Sequence, residues 1–438
     1  MRIIENQLTS GWGNNFHSLS TRVSVASIEE AQEALSFASD KRGLLPVGLH
    51  RSYGDSALNS GGALLDIAEL NQITIDSDSA TAIVGGGVRI AQLEKAALAH
   101  SFFPPVVPGT GHVTMGGAVA ADIHGKSHHK TGSFSSCVRR IKLLLANGEI
   151  ADYTRADTEF WTTVGGLGLT GIILEIEISL RRVSSNSVDV SERRVDNLEQ
   201  MLELLKNSDN DYEHTVAWID LSGDYRGRGV VSLANYGNRT LKSHSGDASK
   251  LSLPGLGGRN FITPITVKTF NEVWFRKPLK NGAVPLSKYM HPLDGINKWN
   301  RIYGEKGFLQ YQFVIDVGRE EIFERLFAGL RSLKASSFLG VLKKFGTASQ
   351  APMSFPRPGW TLTLDYSTSV PGLEKFLCEF DYDLAAAGGR IYLIKDSRLD
   401  SQLVPIMYPG FTQWREERRA MDPNYLWQSD QARRLQLC

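Results

Sequence analysis

The chain has 438 residues, 42% of them hydrophobic and 22% charged, with a formal net charge of +1. That is the profile of an ordinary soluble globular protein, and it argues against a polyanion or nucleic-acid partner. The length exceeds what one core usually serves, so two domains are expected.

Three widely spaced cysteines, Cys137, Cys378 and Cys438, suit a reducing compartment and give neither a disulfide framework nor a zinc site. The opening "MRIIENQLTSGWGNN" lacks the apolar core of a signal peptide. No apolar run reaches the roughly 18 residues of a membrane span. The expected location is cytoplasmic, or peripheral at the inner membrane.

In chain order, "SIEEAQEALSFAS" predicts a helix, with Ser27 and Glu30 as a capping box and Ala31, Leu35 and Ala38 on one face. "GLLPVGL", "GALLDI" and "TAIVGGG" read as strands cut by glycine turns, and "VRIAQLEKAALAHSF" returns to helix. "RRIKLLLANGEIADYT" predicts a hairpin with Asn147-Gly148 as a two-residue turn. "EFWTTV" predicts a short helix and "GIILEIEISL" a strand. This arrangement fills a first domain, residues 1–182.

From about residue 183 the texture changes. "VDVSERRV", "HTVAWIDL", "GRGVVSL", "FLQYQFVID", "FLGVLKKFG", "GWTLTLDYS" and "RIYLIKDS" are strand candidates. Helical patterns lie between them at "NLEQMLELL", "REEIFERLFAGLRSL" and "GLEKFLCEFDYDLAAAG". The expectation is an antiparallel sheet covered by helices on one face, residues 183–389, within an α+β fold. Residues 241–288, rich in Ser, Gly, Pro and Lys, predict a long mobile loop. The last segment, 390–438, predicts helix over "WREERRAMDPNYLWQSDQARRLQ", packing back on the first domain.

The stretch "GGAVAADIHGKSHHKTGSF" places His124, His128 and His129 within six positions. His124 and His128 stand four apart, as paired helical metal ligands do. Gly125 lies between them and no Asp, Glu or Cys accompanies them, so the segment reads as loop and no metal is expected. "GGLGLTG" (165–171) is formally G-x-G-x-x-G, but it has a helix before it and a strand after it, the reverse of a dinucleotide fingerprint.

Three glycine-rich segments in one domain carry more weight: "PVGLHRSYGDSALNSGG", "PGTGHVTMGGAVAADIHGK" and "GGLGLTGII". Each alone could be a turn. Together they offer backbone N–H nests for diphosphate oxygens and close approach to a planar ring. In the second domain, strand alternation puts Leu309, Tyr311, Phe313 and Ile315 on one face and Phe308, Gln310 and Gln312 on the other. Likewise Trp360, Leu362 and Leu364 oppose Thr361, Thr363 and Asp365, while Lys343 and Phe345 fall together. Such a polar face is either solvated or a pocket that binds sugar hydroxyls. "IYLIKDSR" ends a predicted strand with Lys395.

These loops resemble the vanillyl-alcohol-oxidase type of FAD-binding domain. More closely, "GLHRSYGD", "DIHGKSHH", "FLQYQF", "HPLD", "APMSFPRPGW" and "KDSR", in this order, resemble the decaprenylphosphoryl-β-D-ribose 2'-oxidase family, from about Pro46 to Leu437. The resemblance implies that Pro46, Val47, Gly48, Leu49, His50, Arg51, Ser52, Tyr53, Gly54, Asp55 and Ser56 hold the diphosphate of FAD. Gly109, then Thr114, Met115, Gly116 and Gly117, then Ala121, Asp122, Ile123 and His124 would join them. Ile173 would contribute by backbone contact, and Tyr392 would lie near the isoalloxazine. Lys395 and His124 would be catalytic, with Lys395 beside the flavin. Gln310, Gln312, Lys343, Phe345, Thr361, Thr363, Met290 and Lys395 would line the substrate pocket.

FAD is expected to be non-covalent, because covalent members of this fold place a histidine where this chain has Arg51. Thr363, Thr361 and Met290 stand where characterised relatives carry cysteine, asparagine and tyrosine. The implied reaction is oxidation of a sugar secondary alcohol to a ketone, on a polyprenyl-phosphoryl pentose. A partner reductase would complete an epimerisation, and any membrane contact would follow from the lipid tail. A soluble alditol or aldonolactone oxidase and a non-catalytic flavin-binding protein are the alternatives.

Overall fold

The computed structural model describes residues 1–38, 42–222, 227–241, 251–252 and 260–438. The first part is built on two sheets. One joins Arg2–Ser10, His17–Ser24, Ala63–Asp66 and Leu44–Val47 in that spatial order, its last two pairings parallel. The other is antiparallel, Ile73–Asp76, Thr81–Gly85, Ile172–Ser179, Val138–Leu144 and Ile150–Thr154. The short helix Met115–Ala120 sits against the second sheet, with Thr114 as its N-cap accepting from the Gly117 amide.

The second part is an eight-stranded sheet in the order Asn281–Pro285, Ser187–Val195, Gly229–Tyr236, His214–Ile219, Gly340–Phe345, Gly359–Ser367, Phe308–Ile315, Arg390–Ile391. Its central strands are buried on both faces, but the two faces differ in chemistry. Leu309, Tyr311, Phe313, Ile315, Trp360, Leu362 and Leu364 pack against Phe323, Leu326, Leu377 and Phe380 of helices Glu321–Ser332 and Leu373–Ala386. Burying each such side chain contributes about 1.5–3 kcal/mol, so this face fixes the sheet. Gln310, Gln312, Thr361, Thr363 and Asp365 occupy the opposite face in the register Gln310↔Asp365 and Gln312↔Thr363. That polar face lies over the glycine loops of the first part, and the functional site forms between them.

Four expectations change. The 145–149 turn has three loop residues: Gly148 donates to Leu145, Leu145 donates to Glu149, and Gly148 takes the left-handed conformation at φ +85°. This is a type I turn with a bulge, because Asn147 keeps a negative φ while its side chain caps Glu149. The strand predicted through Lys395 stops at Ile391, and Leu393–Lys395 form a 3₁₀ turn. The expected loop over 241–288 contains the helix Pro264–Arg276, the strand Asn281–Pro285 and the start of helix Leu286–Met290, while 242–250 and 253–259 lie outside the described residues. The C-terminal helix is two, Phe411–Met421 and Asp430–Arg434, parted at Asp422-Pro423. They reach the first part through Trp414 Nε1 to Thr162 O at 2.9 Å and Ser60 Oγ to Asp430 at 2.9 Å.

Candidate active site

The first glycine loop folds into a groove shared by Pro46, Val47, Gly48, Leu49, His50, Ser52, Ser56, Thr114, Gly116, Gly117, Ala121 and Ile173. A Cβ on Gly48 would lie 2.3 Å from Thr114 Oγ1, and one on Gly54 would lie 2.0 Å from Asp396 O. Close approach therefore requires glycine at both positions. Along the groove Arg51 Nε, Ser52 Oγ and Ser56 Oγ are buried without partners. A run of orphaned donors in a glycine cradle fits a diphosphate, so the residues present fit FAD. Burial pushes His50 down to about 4, leaving it neutral.

Some residues assigned to the cofactor turn their side chains elsewhere. Asp55 pairs with Arg434 at 2.8 Å, Asp122 accepts from Ser133 and Ser354, and Met115 is in the core. Tyr53 and Gly109 face the adjoining cavity instead.

That cavity, of about 700 Å³, is walled by both parts of the chain: Arg51, Ile123 and His124 from the loops, and Gln310, Lys343, Thr363, Tyr392 and Lys395 from the sheet and the turn after it. His124 is its best-fixed member. Its Nε2 lies 3.0 Å from Gln312 Nε2, its Nδ1 lies 3.1 Å from Lys343 Nζ, and its ring packs 4.8 Å from Phe345 and 5.6 Å from Tyr392. Tyr392 is held in turn by donating to Ala121 O at 2.9 Å. Burial first, then Lys343 and Lys395, push His124 well below the ordinary histidine range. Burial likewise pushes Lys343 well below the lysine range. A neutral imidazole has one acceptor nitrogen. Lys343 as a free amine can accept from Nδ1–H, which reconciles the two facing nitrogens.

Lys395 is pulled down to about 8 by burial, with Asp365 opposing. Asp365 is pushed up to about 7 by burial, with Gln310 and Lys395 opposing. Gln310 Nε2 donates to Asp365 Oδ1 at 2.5 Å, which leaves Gln310 Oε1 and Asp365 Oδ2 buried without partners. The sequence reading put Asp365 on the polar face but gave it no role. The signal was a carboxylate on a strand buried along its whole length.

Not every residue assigned to the pocket reaches it. Gln312, Thr361 and Phe345 stand behind His124, where Thr361 Oγ1 meets Gln312 Nε2 at 3.0 Å. Met290 is core-packed and presents only its carbonyl, which accepts from Lys126 Nζ at 2.7 Å. The helix Leu286–Met290 turns its side chain inward, a direction that sequence position next to "HPLD" does not reveal. That motif itself clamps the mouth. His291 meets Glu94 at 2.6 Å and Pro108 O at 3.0 Å, and Asp294 accepts from Thr110 Oγ1 and the Gly111 amide.

The three clustered histidines part ways: His128 accepts from Gly346 N at 3.1 Å and His129 meets Tyr212 O at 2.9 Å. Among the described residues no group of three or more His, Cys, Asp or Glu side chains converges as a metal site.

An FAD binding domain family matches residues 20–154. The decaprenylphosphoryl-β-D-ribose oxidase of Mycolicibacterium smegmatis is 38% identical over 98% of this chain and 97% of its own. An alditol oxidase of a Streptomyces species is 31% identical over 27% of this chain and 29% of its own. The crystal structure of 6-hydroxy-D-nicotine oxidase from Arthrobacter nicotinovorans superposes with a TM-score of 0.68 at 18% identity, covering 98% of this chain and 96% of that one, and shows the shared fold. Likeness over nearly the whole of both chains in the first of these makes the protein a member of the decaprenylphosphoryl-β-D-ribose oxidase family, an FAD-dependent oxidoreductase of the vanillyl-alcohol-oxidase type.

Proposed function

We propose that the protein oxidises the 2'-hydroxyl of a polyprenyl-phosphoryl pentose to a ketone, with FAD held non-covalently. The observation that carries this reading is the charge of the cavity. Arg51, Lys298 and Lys395 line it as cations, with the buried amines of Lys126 and Lys343 beside them, against Asp294 as the lining carboxylate. A neutral alditol has no use for such an excess of cations, whereas a phosphodiester headgroup does. The named substrate of the Mycolicibacterium relative is of that chemistry.

FAD supplies the acceptor for the hydride that leaves the carbinol carbon. The loop 46–56 and Thr114–Gly117 would hold its diphosphate, and Tyr392 and His124 would face its ring. Lys395, which lines the cavity, would set a positive charge against the negative charge that develops during reduction. Lys343, kept neutral by burial, would take the proton that the hydroxyl sheds once its lone pair lets go of His124 Nδ1–H. Gln310, with a free buried acceptor, and Thr363 would orient the sugar hydroxyls.

The working division of the chain is an FAD-binding domain 1–182, a substrate domain 183–389 and a returning segment 390–438. A separate reductase acting on the keto sugar would complete an epimerisation. Anaerobic bleaching of the flavin by lipid-phosphoryl pentoses, set against free alditols and aldonolactones, tests the reading. Bleaching by the free sugars alone would replace it with the soluble-oxidase alternative.

A further inference from the structure

We infer that helix Pro264–Arg276 and the adjoining Phe261 form a surface that docks on an anionic lipid bilayer beside the mouth of the cavity. The helix is capped by Thr263 and has Pro264 in its first turn, and it turns Val267 and Asn271 inward. Asn271 anchors it by donating to Asp220 Oδ1 at 2.7 Å and to Ser337 O at 3.2 Å. The outward side is the unusual one: Ile265 is 78% exposed and Val273 67%, with Phe261, Phe270 and Trp274 also exposed. Phe270 and Trp274 stack at 5.8 Å, and Lys277 Nζ stands 3.2 Å over the Trp274 ring. A water-facing helix would carry charges here.

Charge selects the occupant. Residues 261–306 hold eight Lys or Arg against three Asp or Glu, in a chain whose net charge is +1. Two of the three acids are engaged internally, Glu272 by Arg228 and Arg276, and Asp294 by Thr110 and the Gly111 amide. Exposed aliphatic and aromatic side chains with Lys268, Arg276 and Lys277 among them match the interface of an anionic membrane. The surface also runs into the cavity. Phe270 packs 5.7 Å from Phe338, just ahead of the cavity-lining Leu339 and Val341, and Phe261 N donates to Ile302 O. Ile296 lines the cavity while 42% exposed. The assignment of the bilayer as the source of substrate rests on the lipid-linked reading above; the surface itself stands on exposure and charge.

Flotation of the FAD-loaded protein with vesicles of phosphatidylglycerol and phosphatidylcholine in equal parts, and with phosphatidylcholine alone, tests this. The expected result is binding to the anionic vesicles that weakens with salt, and a loss of about tenfold or more in the Ile265→Glu/Val273→Glu variant with its FAD retained. Lys268→Glu, a milder surface change, should weaken binding in the same direction. Equal flotation of wild type and double variant, or no flotation of wild type, would overturn the proposal. So would a dimer in sedimentation that only the double variant loses, since the face would then meet a second copy of the chain. Vesicle binding without any flavin reduction by lipid-linked sugars would leave this surface standing and remove the substrate assignment instead.

Discussion

Asp365 accepts a hydrogen bond from Gln310 at 2.5 Å while its other carboxylate oxygen stays buried and unpartnered. The ionised carboxylate dictates which end of the Gln310 amide faces the cavity. Burial raises Asp365 to about 7 and lowers Lys395 to about 8, each tempered by the other. Below about 7 the carboxylate is protonated, and above about 8 the lysine loses its charge. Flavin reduction should therefore peak between these values, the two limbs belonging to the pair. Asp365→Asn should abolish the acidic limb and move the basic limb to lower pH, because Lys395 loses its counter-charge. A stopped-flow pH profile that is the same in wild type and variant would reduce Asp365 to a packing role.

Lys395→Ala should keep FAD and slow flavin reduction by about two orders of magnitude, the scale of one lost electrostatic stabiliser. Lys395→Arg should rescue poorly, since a planar fork does not fill an ammonium's place. Normal reduction in the alanine variant would mean that the turn after Ile391 merely carries a buried lysine.

Gly54→Ala tests the cradle. The new methyl would meet Asp396 O, a backbone atom, so the loop must shift. Overpacking of this kind costs about 1–3 kcal/mol, and the measurable outcome is lower FAD occupancy with a lower unfolding temperature. Full occupancy at wild-type stability would show that the loop has room the structure does not offer.

The family resemblance sets Arg51 against the histidine of covalent members, and its guanidinium lies 4.0 Å over the Trp12 ring, facing the cavity. Arginine forms no flavin bond. Acid precipitation should release all the yellow colour into solution, and flavin retained on the denatured chain would contradict this.

Much of the site was legible in the sequence because strand alternation is unforgiving: Gln310, Gln312, Thr361, Thr363 and Asp365 do share a face opposite Leu309, Tyr311, Phe313 and Trp360. Glycine density likewise marked the loops that fold into the groove. What periodicity does not reveal is depth. Thr363 reaches the cavity while Thr361 and Gln312 sit one layer back, and Met290 turns into the core. The change of Lys395 from strand end to 3₁₀ turn also escaped, because "IYLIK" is an apolar run that reads like a buried strand while tertiary packing bends it. Helix Pro264–Arg276 was hidden by its outward apolar residues, which break the amphipathic pattern that marks a globular helix. The strands Arg2–Ser10 and His17–Ser24 were missed because their mostly polar sequence offers little apolar alternation to read, even where Ser18, Ser20 and Thr21 are buried.

In the proposed reaction, hydride leaves the 2' carbon of a phosphoryl-linked pentose. Anaerobic reduction of the FAD-loaded enzyme by polyprenyl-phosphoryl ribose deuterated at C2', compared with the same molecule deuterated at C3', measures this directly. The expected result is a several-fold slowing with the C2' label alone and a 2'-keto product. Slowing with the C3' label, or equally fast reduction by a free alditol, would contradict it.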